Sequence, residues 1–145
     1  QFSGTTTGSS VKRWRDAARR AGLAAPTRVV CCYPADAGFV AAAVDLILPR
    51  LEEAKRLGSP RLLLSAHGLP KKTVARGDPY QAQVERSAAT IVQAIKARAP
   101  AWSDLDHVIC YQSRVGPLEW LGPYTDAEIG RAAAEKRPIA WIACS

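Results

Sequence analysis

The sequence has no methionine among its 145 residues and opens on Gln1. A translated chain begins with methionine, so the expectation is a piece of a longer protein, with some functional residues lying elsewhere. There is no run of about 18 apolar residues, and so no membrane-spanning helix is expected. The polar, Thr- and Ser-rich start lacks the apolar core of a secretory leader. Cys31, Cys32, Cys110 and Cys144 include no CxxC pair and no Cys/His spacing typical of zinc. No GK[ST] follows the Gly- and Thr-rich opening, which excludes a P-loop. Internal repeats, low-complexity tracts and linkers are also missing. No dense basic run is interleaved with aromatics, so nucleic acid is not an expected partner.

The composition that remains is that of an ordinary globular domain, 48% hydrophobic and 23% charged. Its length suits one domain, residues 1–145, with a real core. The net charge is +7. The excess is scattered apart from Lys12, Arg13, Arg15, Arg19 and Arg20, which share one predicted helix. Such a surface permits peripheral contact with anionic lipid, although no amphipathic anchor is evident. All four cysteines fall in apolar segments and read as small buried hydrophobes of a reducing compartment. On a strand, adjacent Cys31 and Cys32 point to opposite faces and do not easily share a metal.

Four short apolar runs read as strands buried on both faces: Arg28–Tyr33, Arg61–Ala66, His107–Tyr111 and Pro138–Cys144. Helical patterns separate them. A stripe from Phe39 to Leu51 follows Asp36 as N-cap, and Pro49 inside it predicts a kink or an early end. Val84, Ala88, Ile91, Val92 and Ile95 form a second stripe, opened by Asp78 as cap and Pro79 at the first helical position. Thr125 and Glu128 predict a capping box for a helix over Asp126–Glu135. A leading helix spans about Ser10 to Ala21. The alternation predicts an α/β fold, a four-stranded parallel sheet flanked by helices. Ligands of such folds bind beyond the carboxyl ends of the strands.

Three segments could carry chemistry. In SAHGLP, His67 lies just past a buried strand, Gly68 lets the backbone turn and Pro70 stiffens the exit. An imidazole so placed can accept a proton or bind a metal, or serve as a loop histidine with one structural hydrogen bond. The segment Tyr111–Ile129 runs about a dozen residues before the next helix, longer than most βα loops. Gly116-Pro117 and Gly122-Pro123 bracket Trp120 in it. A tryptophan on a stiff loop suits a flat apolar ligand, or packs as the loop's private core. Phe2–Ser10 offers hydroxyls and glycines that could cradle an anion or simply cap a helix. His107, at the amino end of its strand, reads as structural. No acid/base pair and no Ser/His/Asp array is evident.

LSAHGLP, then RGDPY, then CYQSRVGPLEWLGPYTDAEI, with the opening QFSGTTTGSS, resembles the ferrochelatase family. The motifs stand in the family's order over nearly the whole chain, with a proteobacterial flavour. The resemblance implies insertion of Fe²⁺ into protoporphyrin IX in haem biosynthesis. It implies a fold of two Rossmann-like halves around a porphyrin cleft, this chain being most of the second half. His67 would be the metal ligand or proton acceptor, with Leu69, Pro70, Val115 and Trp120 at the porphyrin. Iron is then a substrate, and no resident cofactor is expected; some members carry a [2Fe–2S] cluster with a cysteine where Gly4 stands here, so no cluster is expected in this chain. The family's glutamate partner, in a segment following the last strand, and its N-terminal half would lie outside these residues. The isolated piece is therefore expected to be inactive. The implied location is the bacterial cytoplasm, with peripheral contact at the inner membrane.

Two other readings compete. One is a chelatase for another metal or tetrapyrrole, such as cobalt. The other is a non-catalytic Rossmann-like module holding an anionic small molecule through Thr5–Ser10.

Overall fold

In the computed structural model, which describes residues 1–143, helices alternate with strands of one parallel sheet. A π-helical turn, Gly4–Gly8, leads into helix α1, Ser9–Arg20. Helix α2 (Ala37–Lys55), strand β1 (Arg61–His67) and the short helix α3 (Lys71–Ala75) follow. Helix α4 (Tyr80–Arg98) and a 3₁₀ turn (Pro100–Trp102) lead to strand β2 (Asp106–Gln112), helix α5 (Thr125–Ala134) and strand β3 (Ile139–Ala143). The described sheet has three strands in the order β2-β1-β3, all parallel.

Strand β1 is central, and six of its seven residues are buried, only His67 being exposed. Side chains alternate across a strand. Leu62, Leu64 and Ala66 accordingly share one core with Val44, Ile47 and Leu51 of α2 and Val84, Ile91 and Ile95 of α4. The other face carries Leu63 and Ser65, and Ser65 meets Thr125 of α5. Each of the three leucines is essentially inaccessible, worth about 1.5–3 kcal/mol apiece relative to exposure. Nearly continuous burial explains why β1 reads as an apolar run without alternation.

Four expectations need correction. The sheet has three described strands, not four: Arg28–Tyr33 forms none, and Val30 is 80% exposed. An apolar run states a wish for burial, but a strand also needs a neighbour for its backbone groups, and none is supplied here. The same exposure overturns the reading of Cys31 as buried; Cys32 is half-buried, Cys110 is fully buried, and Cys144 lies outside the described residues. Of the kink or early end expected at Pro49, the early end does not occur: α2 continues to Lys55, with Leu51 and Ala54 beyond the proline buried. The capping box is not made either. Thr125 opens α5 without a side-chain cap, its hydroxyl bonding Ser65 Oγ at 3.0 Å and Cys110 Sγ at 3.3 Å, while Glu128 pairs with Arg131. A buried hydroxyl finds its partners inside, and the helix start is left to the backbone.

The cap reading at α2 holds. Asp36 caps α2 by accepting from the Phe39 amide at 2.9 Å. At α4 the cap reading shifts by one residue: Pro79 is itself the N-cap, the helix has no side-chain cap, and Asp78 accepts from the Tyr80 amide at 3.0 Å from outside it. Its other oxygen takes the Ser3 hydroxyl at 2.9 Å and the Gly4 amide at 2.8 Å. The Thr- and Gly-rich opening is thus docked on the start of α4, with the Asp78 carboxylate as the anion its donors hold.

Candidate functional site

At the carboxyl edge of the sheet, two loops leave adjacent strands and are stitched together. His67, last residue of β1, sits in register with Gln112, last residue of β2. The Gly68 amide donates to the Gln112 carbonyl at 2.8 Å. Beyond that point the chain after His67 runs antiparallel to the Trp120 segment. The Leu121 amide donates to Leu69 O at 2.9 Å, and the Lys71 amide to Glu119 O at 2.9 Å, flanking a bridge between Pro70 and Trp120. Pro70 occupies the one place in this ladder where no N–H is required, so its missing donor costs nothing. Its fixed φ then suits it to lead directly into α3.

Side chains reinforce the stitching. Lys71 Nζ reaches Glu119 Oε1 at 2.6 Å, and this hydrogen bond raises the Lys71 pKa. The Trp120 indole N–H donates to the Val115 carbonyl at 3.0 Å, closing the loop on itself. At the loop's far end the Tyr111 amide donates to Pro123 O at 2.9 Å, beside a parallel bridge between Tyr111 and Tyr124. The Arg114 guanidinium lies 4.0 Å over the Tyr124 ring and pairs with Asp126 at 2.8 Å. Below the edge, burial pushes the Cys110 thiol pKa up, which keeps it a neutral core group.

The residues singled out from sequence separate into two kinds. His67, Pro70 and Trp120 come together on this edge, the imidazole exposed and the other two half-buried. Leu69 turns into the main core and supports the turn from behind. Val115 stands 72% exposed at the crest of its loop, with Leu118 also exposed. Apolar side chains held in solvent on a loop that is tied by main-chain bonds to the turn after an exposed histidine could receive a flat, largely apolar ligand. His107 is at the opposite edge, its Nδ1 3.1 Å from Leu105 O, as a structural histidine would be. Sequence reasoning missed the Lys71–Glu119 pair, the Arg114–Tyr124 stack and the close approach at Gly68. The only signal for these was the length of the loop, since contacts between loops of different strands have no fixed spacing.

Among the described residues, no group of three or more His, Cys, Asp or Glu side chains is placed to hold a metal ion. Nor is any described helix long and apolar enough to cross a membrane.

The family model for ferrochelatase matches residues 1–145. The chain is 50% identical over 147 residues to a ferrochelatase of Phenylobacterium zucineum, covering 98% of this chain and 40% of that protein. It is 46% identical to one from Hyphomonas neptunium, covering 98% of this chain and 38% of the relative. For one from Caulobacter vibrioides the figures are 45%, 98% and 40%. The chain thus spans about two-fifths of the length of the curated relatives it matches. With the motifs, the parallel sheet and a family match over every residue, the chain belongs to the ferrochelatase family.

Proposed function

We propose that this chain supplies the imidazole and one wall of a porphyrin metallation site, where Fe²⁺ enters protoporphyrin IX to give protohaem. The observation that carries the reading is the ladder joining the His67 turn to the Trp120 segment, within a chain that matches the family throughout. Metallation exchanges two pyrrole N–H protons for one Fe²⁺, with no change of oxidation state. It needs a ring held against rigid apolar walls and a base or metal-handling group near its centre. His67 takes the second role: a neutral imidazole nitrogen accepts a pyrrole proton or passes the metal on. Pro70, Val115 and Trp120 form the wall, with Leu69 beneath it. Because iron is substrate, an open arrangement around His67 favours turnover over capture.

The rest of the full-length protein supplies the facing wall and an acidic partner for proton removal. The site works in the cytoplasm, with peripheral membrane contact available to the basic surface.

The test is Fe²⁺ insertion by the full-length polypeptide that carries this chain. His67→Ala is expected to lower the rate about 10²-fold or more, the scale of a lost acid/base group, while porphyrin still binds. Near wild-type turnover in that variant would remove His67 from the mechanism. Trp120→Ala is expected to weaken porphyrin binding by about 1–3 kcal/mol, and unchanged affinity would confine Trp120 to its own loop.

A further inference from the structure

Gly68 is a glycine for want of space, not for want of backbone freedom. Its φ lies outside the left-handed region that favours glycine. A Cβ built there would stand 3.0 Å from the Gln112 carbonyl oxygen and 3.3 Å from Cε3 of Trp120. The first neighbour is backbone of the adjacent strand, and the second is a ring already tied by its N–H to Val115. Neither is the free end of a flexible side chain. An added methyl group therefore has to part the strands' ends or push the indole outward.

The position matters because Gly68 is the first link between the two loops. Its own amide makes the 2.8 Å bond to Gln112, and the Leu121 and Lys71 amides make the next bonds along the ladder. Loosening at Gly68 is passed to both.

We propose that Gly68 is a positioning residue: its missing side chain lets the His67 turn and the Trp120 segment close into one rigid unit, presented together to the ligand. The assignment deepens the porphyrin reading and rests on it only for the ligand half of the test.

The rigid unit is tested by amide hydrogen exchange on the full-length polypeptide that carries this chain, without ligand. In the wild-type chain the amides of Gly68, Lys71 and Leu121 are expected to open together, with the same dependence on added denaturant. Independent opening of the three overturns the proposal, and this arm holds even if no variant folds. In Gly68→Ala, the Lys71 and Leu121 amides are expected to exchange about tenfold faster or more, while Leu64 inside β1 keeps its rate. Equal acceleration of Leu64 would mean general destabilisation and would reject a positioning role, as would no acceleration at all.

The ligand half is a protoporphyrin IX titration of the full-length protein with and without Gly68→Ala. Affinity is expected to fall about tenfold, in line with the cost of small misplacements at a site. Unchanged affinity despite a loosened ladder overturns the link to the ligand. A wild-type protein that binds no porphyrin instead sinks the functional reading and leaves the exchange result to decide on Gly68.

Discussion

The two ends of strand β1 are built differently, although the same leucines join them. At the amino end Arg61 is 5% exposed and carries two ion pairs, to Asp106 and Glu135, each at 2.8 Å. Arg137 pairs with Asp106 as well, and Arg131 links Glu135 to Glu128. At the carboxyl end His67 is exposed, and the neighbouring loops are held by backbone bonds and two exposed ion pairs, Lys71–Glu119 and Arg114–Asp126. A partly buried charge network ties the sheet at one edge, while main-chain bonds join the two loops at the other, with only exposed ion pairs beside them. Backbone bonds hold the loops without relying on their side chains, which is what the proposed porphyrin wall needs.

The sharpest way to break this contrast is at Arg61. Arg61→Ala leaves Asp106 with Arg137 but strips Glu135 of its closest cation and empties a buried site. Removing one member of a buried ion pair costs about 3–5 kcal/mol. Because Asp106 and Glu135 keep partial contact with solvent, the expected loss is at the lower end, about 3 kcal/mol. Urea unfolding at unchanged m-value measures it. A loss below about 1 kcal/mol would place Arg61 with ordinary surface ion pairs and dissolve the contrast.

How much of this was legible depended on whether the information was local. The helices of α2 and α4 follow from stripes such as Val84, Ala88, Ile91, Val92 and Ile95, all of which are buried. The location of His67 at a strand's carboxyl end follows from the leucine run and the turn residues after it. Arg28–Tyr33 misled because composition reports apolarity and is silent on which neighbour would pair it. Gly68 was read as a turn residue, whereas its space is set by Gln112 and Trp120, far along the chain. Arg61 gave no signal, because a lone arginine before a leucine run looks like a solvated flank until Asp106 and Glu135 are folded against it.

Thr125 probes the layer between the two edges, and the same local signal failed there. Its spacing from Glu128 matches a capping box, but its hydroxyl is buried against Ser65 and Cys110. Thr125→Val should cost about 1–2 kcal/mol by removing hydrogen bonds from a closed site. Thr125→Asp separates the two roles by sign. Aspartate is a good cap at an exposed helix start, but here it would place a carboxylate in the core beside Cys110. It should therefore destabilise more than valine in the same urea titration. A Thr125→Asp variant more stable than wild type would restore the capping reading and remove the buried cluster.

The smallest expected effect belongs to Lys71 and Glu119, an exposed ion pair of the carboxyl edge. Their side chains are joined at 2.6 Å but are 54% and 73% exposed. A pair so open to water is screened by salt and contributes little to folding. The Leu121 and Lys71 amides hold the same two segments through the backbone, whatever the side chains do. Lys71→Ala should therefore leave the urea midpoint unchanged within error, at low salt and at 1 M salt on the scale where exposed charges are fully screened. A clear loss that disappears in high salt would mean that charge fastens this edge as it fastens the other. The main-chain ladder would then be a consequence of the ion pair, and the division of labour between the two ends of β1 would have to be given up.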